Sequence, residues 1–189
     1  AARKALGVGE GQTAVLYAPT FRETPGDVSV RFNVAEVAQE LPESMVLIVR
    51  AHHTATAGAQ VAELIAQGRI IDGSKVPDIR TCYLAADALI TDYSSVMFDY
   101  ALLDRPIIIY ADDWMMYRET RGTYFDLIAE PPGLVAMNQG ELVQILRSGD
   151  YRGSEAHVLR DAFRQRFCVF DRGDAARRVI ELVMLQRSA

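Results

Sequence analysis

Two adjacent serines and a nearby carboxylate have the spacing that best suits recognition of a phosphorylated ligand. Ser94 and Ser95 lie in the segment TDYSSVMFDY, after an apolar run and at the predicted start of a helix. Serines at such a position cap free backbone N–H groups. Two hydroxyls beside exposed amides, at the positive end of a helix, also favour an anion. Asp99 follows in an otherwise apolar helix, where we expect it to be buried and to need a hydrogen-bond partner, either a ribose diol or a neighbouring loop amide.

Two further candidates directly follow apolar runs. Arg22 ends the segment YAPTFR, and its guanidinium would match a phosphate in a forked contact, although a solvated loop arginine would look the same. His52 and His53 follow the next run. Adjacent strand residues point to opposite faces, and no cysteine or third histidine is nearby, so a shared metal ion is disfavoured. His52 instead suits a hydrogen bond to phosphate or a proton transfer, or a structural hydrogen bond.

A third group of polar side chains lies in the segment YRETRGTYFD, residues 117–126. We predict a loop here, in which Arg121 would bind phosphate and Gly122 would let the backbone approach the ligand. A surface loop whose arginines extend along apolar surface is the alternative. Farther along, the acids Asp171 and Asp174 predict a helix cap rather than a site.

Alternating strands and helices are expected to position these residues. Short runs rich in Val, Ile and Leu are typical of strands buried on both faces, and helical patterns separate them. This alternation predicts an α/β fold with a Rossmann-like, doubly wound parallel sheet, in which ligands bind beyond the carboxyl ends of the strands. The predicted strands are 13–18, 45–49, 69–72, 88–91, 106–110 and 134–136; the predicted helices are 34–40, 57–67, 79–86, 96–103, 139–147 and 174–186.

Composition limits the class of protein. The chain has 189 residues, which favours one domain, and its formal net charge of −5 disfavours a nucleic-acid partner. Cys82 and Cys168 are interpreted as buried thiols. The absence of a G-x-G-x-x-G turn and of a Walker lysine loop argues against dinucleotide dehydrogenases and P-loop NTPases. No signal peptide or membrane span is predicted. The abrupt start at Ala1 suggests a piece of a longer chain.

In this order, the segments resemble the C-terminal, nucleotide-binding domain of the CDP-glycerol:poly(glycerophosphate) glycerophosphotransferase family, the teichoic acid polymerase type. The resemblance runs from about residue 15 to residue 178. His53 stands where the family often has proline, which leaves His52 as the residue carried over. The segments that carry the resemblance are VLYAPTFR at 15–22, R-x-H at 50–52, the block 77–110 around TDYSS, YRETRGTYFDL at 117–127 and E-x-P-G at 130–133.

The resemblance implies a two-domain GT-B enzyme, of which residues 1–189 are the single donor-binding domain. The acceptor domain and the histidine proposed as the base lie in the missing N-terminal part, so this chain alone should be inactive. The implied reaction transfers glycerol phosphate from CDP-glycerol to the hydroxyl end of a lipid-linked, teichoic-acid-like polymer and releases CMP. The full-length enzyme would work at the inner, cytoplasmic face of the membrane.

The resemblance also implies roles for the candidate residues. His52 would be catalytic, Asp99 would orient the ribose and Asp92 would set the local turn. Neither a metal nor another cofactor is expected. CDP-ribitol or a nucleotide sugar remains an alternative donor, and a non-catalytic nucleotide-binding module is an alternative of another class. The residues expected to hold the pyrophosphate are Arg22, His52, Ser94, Ser95 and Arg121, with Gly122 beside them.

Overall fold

A single parallel sheet forms the centre of the molecule. The computed structural model describes residues 1–20, 31–51, 58–171 and 173–185. Within these ranges six strands pair in the order β3-β2-β1-β4-β5-β6. Every predicted strand is confirmed to within one residue at each end. The strands are β1 Thr13–Tyr17, β2 Met45–Val49, β3 Ile70–Asp72, β4 Ala88–Thr91, β5 Ile107–Tyr110 and β6 Leu134–Ala136.

Helices cover both faces of this sheet. Three of those in the described ranges, α1, α6 and α8, were not predicted from the sequence, and the last predicted helix is shorter and continues as a π-helical turn. The helices are α1 Ala2–Ala5, α2 Val34–Glu40, α3 Ala59–Ala66, α4 Ile79–Ala85, α5 Val96–Ala101, α6 Trp114–Arg121, α7 Gln139–Ser148, α8 Ser154–Phe167 and α9 Ala175–Val179, with the π-helical turn at Ile180–Met184 and 3-10 turns at Gly73–Lys75 and Asp150–Arg152.

The side-chain alternation of the strands divides the core into two layers. In β1, Val15 and Tyr17 pack under α2, α3 and α7. Ala14 and Leu16 point to the opposite face and pack with α4, α5 and α8. Because both faces are covered, the strands are apolar throughout, which is why the sequence revealed them as continuous runs.

Capping side chains fix several helix starts. The side chains of Asn33, Asp78 and Asn138 accept hydrogen bonds from first-turn amides of α2, α4 and α7.

One glycine allows two strands to approach closely. Gly133 precedes β6, and a Cβ atom there would lie 1.9 Å from the carbonyl oxygen of Ile107. Only glycine therefore lets β6 pair with β5 at this point.

The structure also tests the predictions for the two cysteines and for the helix cap at Asp174. Cys82 and Cys168 are both free, with Cys82 buried as predicted and Cys168 only half-buried. Asp174 stands at the start of α9 but makes no side-chain capping bond, so the predicted cap is wrong there. Its carboxylate instead contacts Arg177 at 3.3 Å. No helix in the described ranges is long and apolar enough to cross a membrane.

Candidate nucleotide-binding site

The strand order creates a crevice between the exits of β1 and β4. These two strands are neighbours in the sheet, yet the chain leaves β1 toward α2 on one face and leaves β4 toward α5 on the other. The loops therefore diverge at the carboxyl edge, which is where open α/β sheets bind their ligands. The described part of the segment 17–22 ends at Thr20, after β1, and Ser94 and Ser95 follow β4, so these two predicted segments begin at neighbouring strand exits.

Hydrogen bonds lock the β1 and β4 exits together. The Thr91 hydroxyl donates to the Ala18 carbonyl (2.7 Å), and the buried Asp92 carboxylate accepts from both the backbone N–H (2.7 Å) and the hydroxyl (2.6 Å) of Thr20. Asp92 thus joins two loops, a wider role than the turn predicted for it. These bonds fix the floor of the crevice.

The two serines differ in what they contact. The Ser94 hydroxyl accepts from the Val96 N–H at 3.4 Å, which is a long and weak cap. Ser95 occupies the N-cap position of α5, is exposed and makes no side-chain capping bond. The capping alternative therefore fits Ser94 only weakly and is wrong for Ser95. The exposed Ser95 thus lies beyond the β4 exit, at the start of α5.

Asp99 is exposed, so the prediction that it is buried is wrong. The buried face of α5 is formed instead by Met97, Tyr100 and Ala101. Asp99 lies four residues after Ser95, and residues at this spacing share one side of a helix. The carboxylate and the Ser95 hydroxyl therefore project on the same side, and its contact with a ribose stays a prediction.

The predicted loop at 117–126 is wrong in its first half. Helix α6 begins at the buried Trp114 and continues to Arg121. Its polar residues are exposed. Gly122 ends the helix with a φ of 72°, a conformation that glycine adopts without strain. The end of the helix therefore explains this glycine, while its approach to a ligand stays a prediction. Arg121 is exposed at the last turn.

Tyr93 connects the serine turn to α6. Its ring stacks on Tyr117, with the ring centroids 3.8 Å apart and the planes at 23°. Its hydroxyl donates to Asp113 at 2.8 Å. Burial, and then this hydrogen bond, raises the pKa of Tyr93, so the hydroxyl stays a donor. Arg121 lies one helical turn beyond Tyr117 on the same side of α6.

An ion-pair cluster continues this network to the β1 side. The Arg31 guanidinium contacts Asp112 through two nitrogens, at 3.1 and 2.8 Å, and lies 3.5 Å from Asp113. The backbone N–H of Arg31 donates to the Tyr17 hydroxyl at 3.2 Å. This cluster was not predicted from the sequence, where its signal was the pair Asp112–Asp113, one residue after the fifth strand. Exits of β1, β4 and β5 are thereby joined.

Two predicted residues, Arg22 and His52, lie outside the described residues, as does His53. Before His52, the Arg50 guanidinium donates to the carbonyls of Gly73 (2.7 Å) and Val76 (2.6 Å). Arg50 therefore fixes the β2 and β3 exits. In the ranges that the structure describes, no group of three or more His, Cys, Asp or Glu side chains could hold a metal ion.

A second concave surface lies at the opposite, amino edge of the sheet. This groove has a volume of about 490 Å³. The Arg69 guanidinium donates to the carbonyls of Ala38 (2.5 Å) and Leu41 (2.6 Å), so it is engaged with the main chain. The groove is less suited to a phosphate than the carboxyl edge. Its lining residues are Gln12, Gln39, Leu41, Glu43, Leu64, Gln67, Gly68 and Arg69.

The fold and the crevice at its switch point define a Rossmann-like domain of the GT-B type. WaaG, a glycosyltransferase involved in lipopolysaccharide biosynthesis, shares this fold with a TM-score of 0.56 at 17% identity, over 96% of this chain and 50% of that chain. The wall teichoic acid polymerase TagF, in a variant soaked with CDPG, matches with a TM-score of 0.81 at 29% identity, over 98% of this chain and 45% of that one.

The chain belongs to the CDP-Glycerol:Poly(glycerophosphate) glycerophosphotransferase family, whose profile matches residues 1–185. The teichoic acid glycerol-phosphate transferase of Staphylococcus aureus is 34% identical over 89% of this chain and 44% of its own length. The teichoic acid poly(ribitol-phosphate) polymerase of Bacillus spizizenii is 29% identical over 90% of this chain and 27% of its own length. The chain thus spans less than half the length of these relatives, and the family resemblance seen in the sequence is confirmed.

Proposed function

We propose that residues 1–189 form the donor-binding domain of a teichoic-acid glycerophosphotransferase that uses CDP-glycerol. The single observation that carries this proposal is the family match over residues 1–185. Support comes from the crevice between the β1 and β4 exits, since Thr20, in the family's segment 15–22, and the Ser94–Ser95 segment both follow these strands. A nucleotide would lie across this edge with its phosphates toward the exposed Ser95.

The chemistry required of this domain is mainly positioning and charge stabilisation. A hydroxyl of the acceptor attacks the β-phosphorus of CDP-glycerol, the new P–O bond forms, and the bond to the CMP oxygen breaks. The hydroxyl proton passes to a base on the acceptor side. Arg22, Ser94, Ser95 and Arg121 hold the pyrophosphate, and His52 stabilises the charge that develops on the departing phosphate.

The exposed side chains around the crevice fit these roles. The Ser95 hydroxyl is free of any capping bond, and a hydrogen bond to a charged phosphate is stronger than one to a neutral group. Arg121 adds positive charge one turn beyond Tyr117. Asp99, on the same side of α5 as Ser95, would accept from a ribose hydroxyl, and Gly122 would let the protein backbone approach the ligand.

The acceptor in this proposal is the hydroxyl end of a lipid-linked polyol-phosphate polymer at the inner face of the cell membrane. Another domain, N-terminal to this one in the full-length protein, binds that polymer and supplies the base. No nucleic acid and no cofactor takes part. CDP-ribitol is the second candidate donor, because the family relatives include a ribitol-phosphate polymerase.

Calorimetric titration of this chain with a panel of ligands tests the choice of donor. We expect CDP-glycerol to bind more tightly than CDP-ribitol, and both to bind more tightly than UDP-glucose. Cytidine, which lacks phosphates, should bind weakly and serves as the control. Tighter binding of UDP-glucose than of either CDP-polyol would contradict the proposal and favour a nucleotide-sugar glycosyltransferase.

The same samples test whether the domain is sufficient for transfer. With CDP-glycerol and a lipid-linked acceptor, the chain alone should release no CMP above the background of a protein-free sample, because the acceptor half and its base are supplied elsewhere. Sustained CMP release that depends on the acceptor would show that this chain carries the complete site.

A further inference from the structure

Tyr93, beside the serine turn, contacts residues that are distant from it in the sequence. Tyr93 directly precedes Ser94 in the turn before α5, yet its side chain reaches the start of α6. There its hydroxyl donates to Asp113 at 2.8 Å, and its ring stacks on Tyr117 with centroids 3.8 Å apart. The indole of Trp114 lies against the same ring, at 5.8 Å between centroids.

The acceptor of this hydrogen bond is itself held firmly. Asp113 is 8% exposed, and its carboxylate lies 3.5 Å from the Arg31 guanidinium. The same guanidinium holds Asp112 through two nitrogens. Tyr93 is therefore bonded to a fixed point, and any movement of the serine turn away from α6 must break the hydroxyl bond and the ring stack together.

We propose that Tyr93 is a positioning residue of the donor site, whose bond to Asp113 and stack on Tyr117 hold the Ser94–Ser95 turn in a fixed position against the start of α6. The serine side chains add little local support to this turn, since Ser95 makes no capping bond and that of Ser94 is 3.4 Å long. The hydrogen bonds of Asp92 fix the chain where it leaves β4, and the contacts of Tyr93 fix the residue that follows. The effect on donor affinity rests on the proposed function, whereas the effect on the turn does not.

Tyr93→Phe is the direct test, because it removes the hydroxyl bond and keeps the ring. Tyr100→Phe is the matched control. Tyr100 is a buried tyrosine of α5 whose hydroxyl donates to the Ala86 carbonyl at 3.1 Å, away from the crevice. Each substitution deletes one hydroxyl hydrogen bond and leaves its acceptor with another partner, Arg31 for Asp113 and Arg105 for Ala86. A purely structural role predicts the same behaviour for both variants.

Two measurements on the 189-residue chain, hydrogen exchange and donor affinity, distinguish an effect on the turn from an effect on donor binding. Hydrogen exchange of the amides in segment 92–98 should rise about three- to tenfold in Tyr93→Phe, the factor expected for loss of one net hydrogen bond in local opening. The dissociation constant for CDP-glycerol should rise by about the same factor. Tyr93→Leu, which also removes the stack, should show a larger rise in both.

Comparison with Tyr100→Phe distinguishes a positioning role of Tyr93 from a purely structural one. Tyr100→Phe should change the melting temperature about as much as Tyr93→Phe while leaving donor affinity within about twofold of the parent, since each variant loses a hydroxyl hydrogen bond and only Tyr93 adjoins the serine turn. Equal loss of affinity in both variants, or unchanged exchange of segment 92–98 in Tyr93→Phe, would overturn the inference. If the parent chain does not bind CDP-glycerol, the proposed function fails, and the exchange measurement alone decides whether Tyr93 positions the turn.

Discussion

Replacing His52 with alanine in the full-length enzyme should lower turnover by about two orders of magnitude or more. This is the usual size of effect for a positioned acid–base or charge-stabilising group that acts in the transition state. The measurement is CMP release at saturating CDP-glycerol with a lipid-linked acceptor. Turnover, rather than donor affinity, should change most, because the group acts on charge that develops as the leaving phosphate departs.

His53 supplies the control for this experiment, because it is the same residue type at the next position. His53→Ala should retain most of the activity. Equal and small effects of the two substitutions would reduce both histidines to structural residues. Equal and large effects would also argue against a specific role for His52, since adjacent side chains seldom serve one phosphate together.

Replacing Ser95 with alanine should weaken CDP-glycerol binding by about 1.5–3 kcal/mol, the range for a hydrogen bond to a charged group, which is about 10- to 150-fold in the dissociation constant. The same substitution should leave the free energy of unfolding within about 0.5 kcal/mol of the parent, because the exposed hydroxyl makes no capping bond. Calorimetry gives the affinity, and thermal unfolding gives the stability.

Ser94→Ala is the matched variant. Its hydroxyl caps Val96 at 3.4 Å, so its removal should cost up to about 1 kcal/mol of stability, with a smaller loss of donor affinity than Ser95→Ala. Cytidine, which lacks phosphates, should bind the parent and both variants equally. If both variants melt lower and bind CDP-glycerol as the parent does, the serines only cap the helix and the placement of the donor phosphates is wrong.

The sheet could be predicted because its signal is local. Runs such as Met45–Val49 are apolar at every position and fully buried, so burial on both faces is visible in the sequence itself. Helix α2 was also predicted with its observed bounds, since Asn33 caps its start and Pro42 follows its end. Strand order then placed the candidate segments at one edge.

Other features depend on contacts between distant segments, which periodicity does not reveal. Helix α8 buries only Ala156, Arg160 and Phe163, so its apolar stripe is too narrow to mark a helix. Arg160 is held there by Asp104 at 2.8 Å, from another part of the chain. Asp99 was predicted to be buried because its neighbours in sequence are apolar. In the structure those neighbours pack on either side of it, and Asp99 itself is exposed.

The candidate site was proposed from segments of the sequence, but the hydrogen bonds that connect those segments could not be predicted from it. The serines and Arg121 stood out by residue type and position, whereas Tyr93 was not singled out. Its importance comes from Asp113, which lies twenty residues away in sequence and is reached only after β5. Hydrogen bonds of this kind are specified by the packed structure as a whole.

Titration of this chain with CDP-glycerol, followed by amide NMR, would show which edge of the sheet binds the donor. We expect the largest shifts at the carboxyl edge, on Thr20, Ser94, Ser95 and the end of α6. The amides of the groove at the amino edge, around Gly68, should not move. Shifts concentrated in that groove, or no saturable shifts at the β1 and β4 exits, would contradict the assignment of this edge as the donor site.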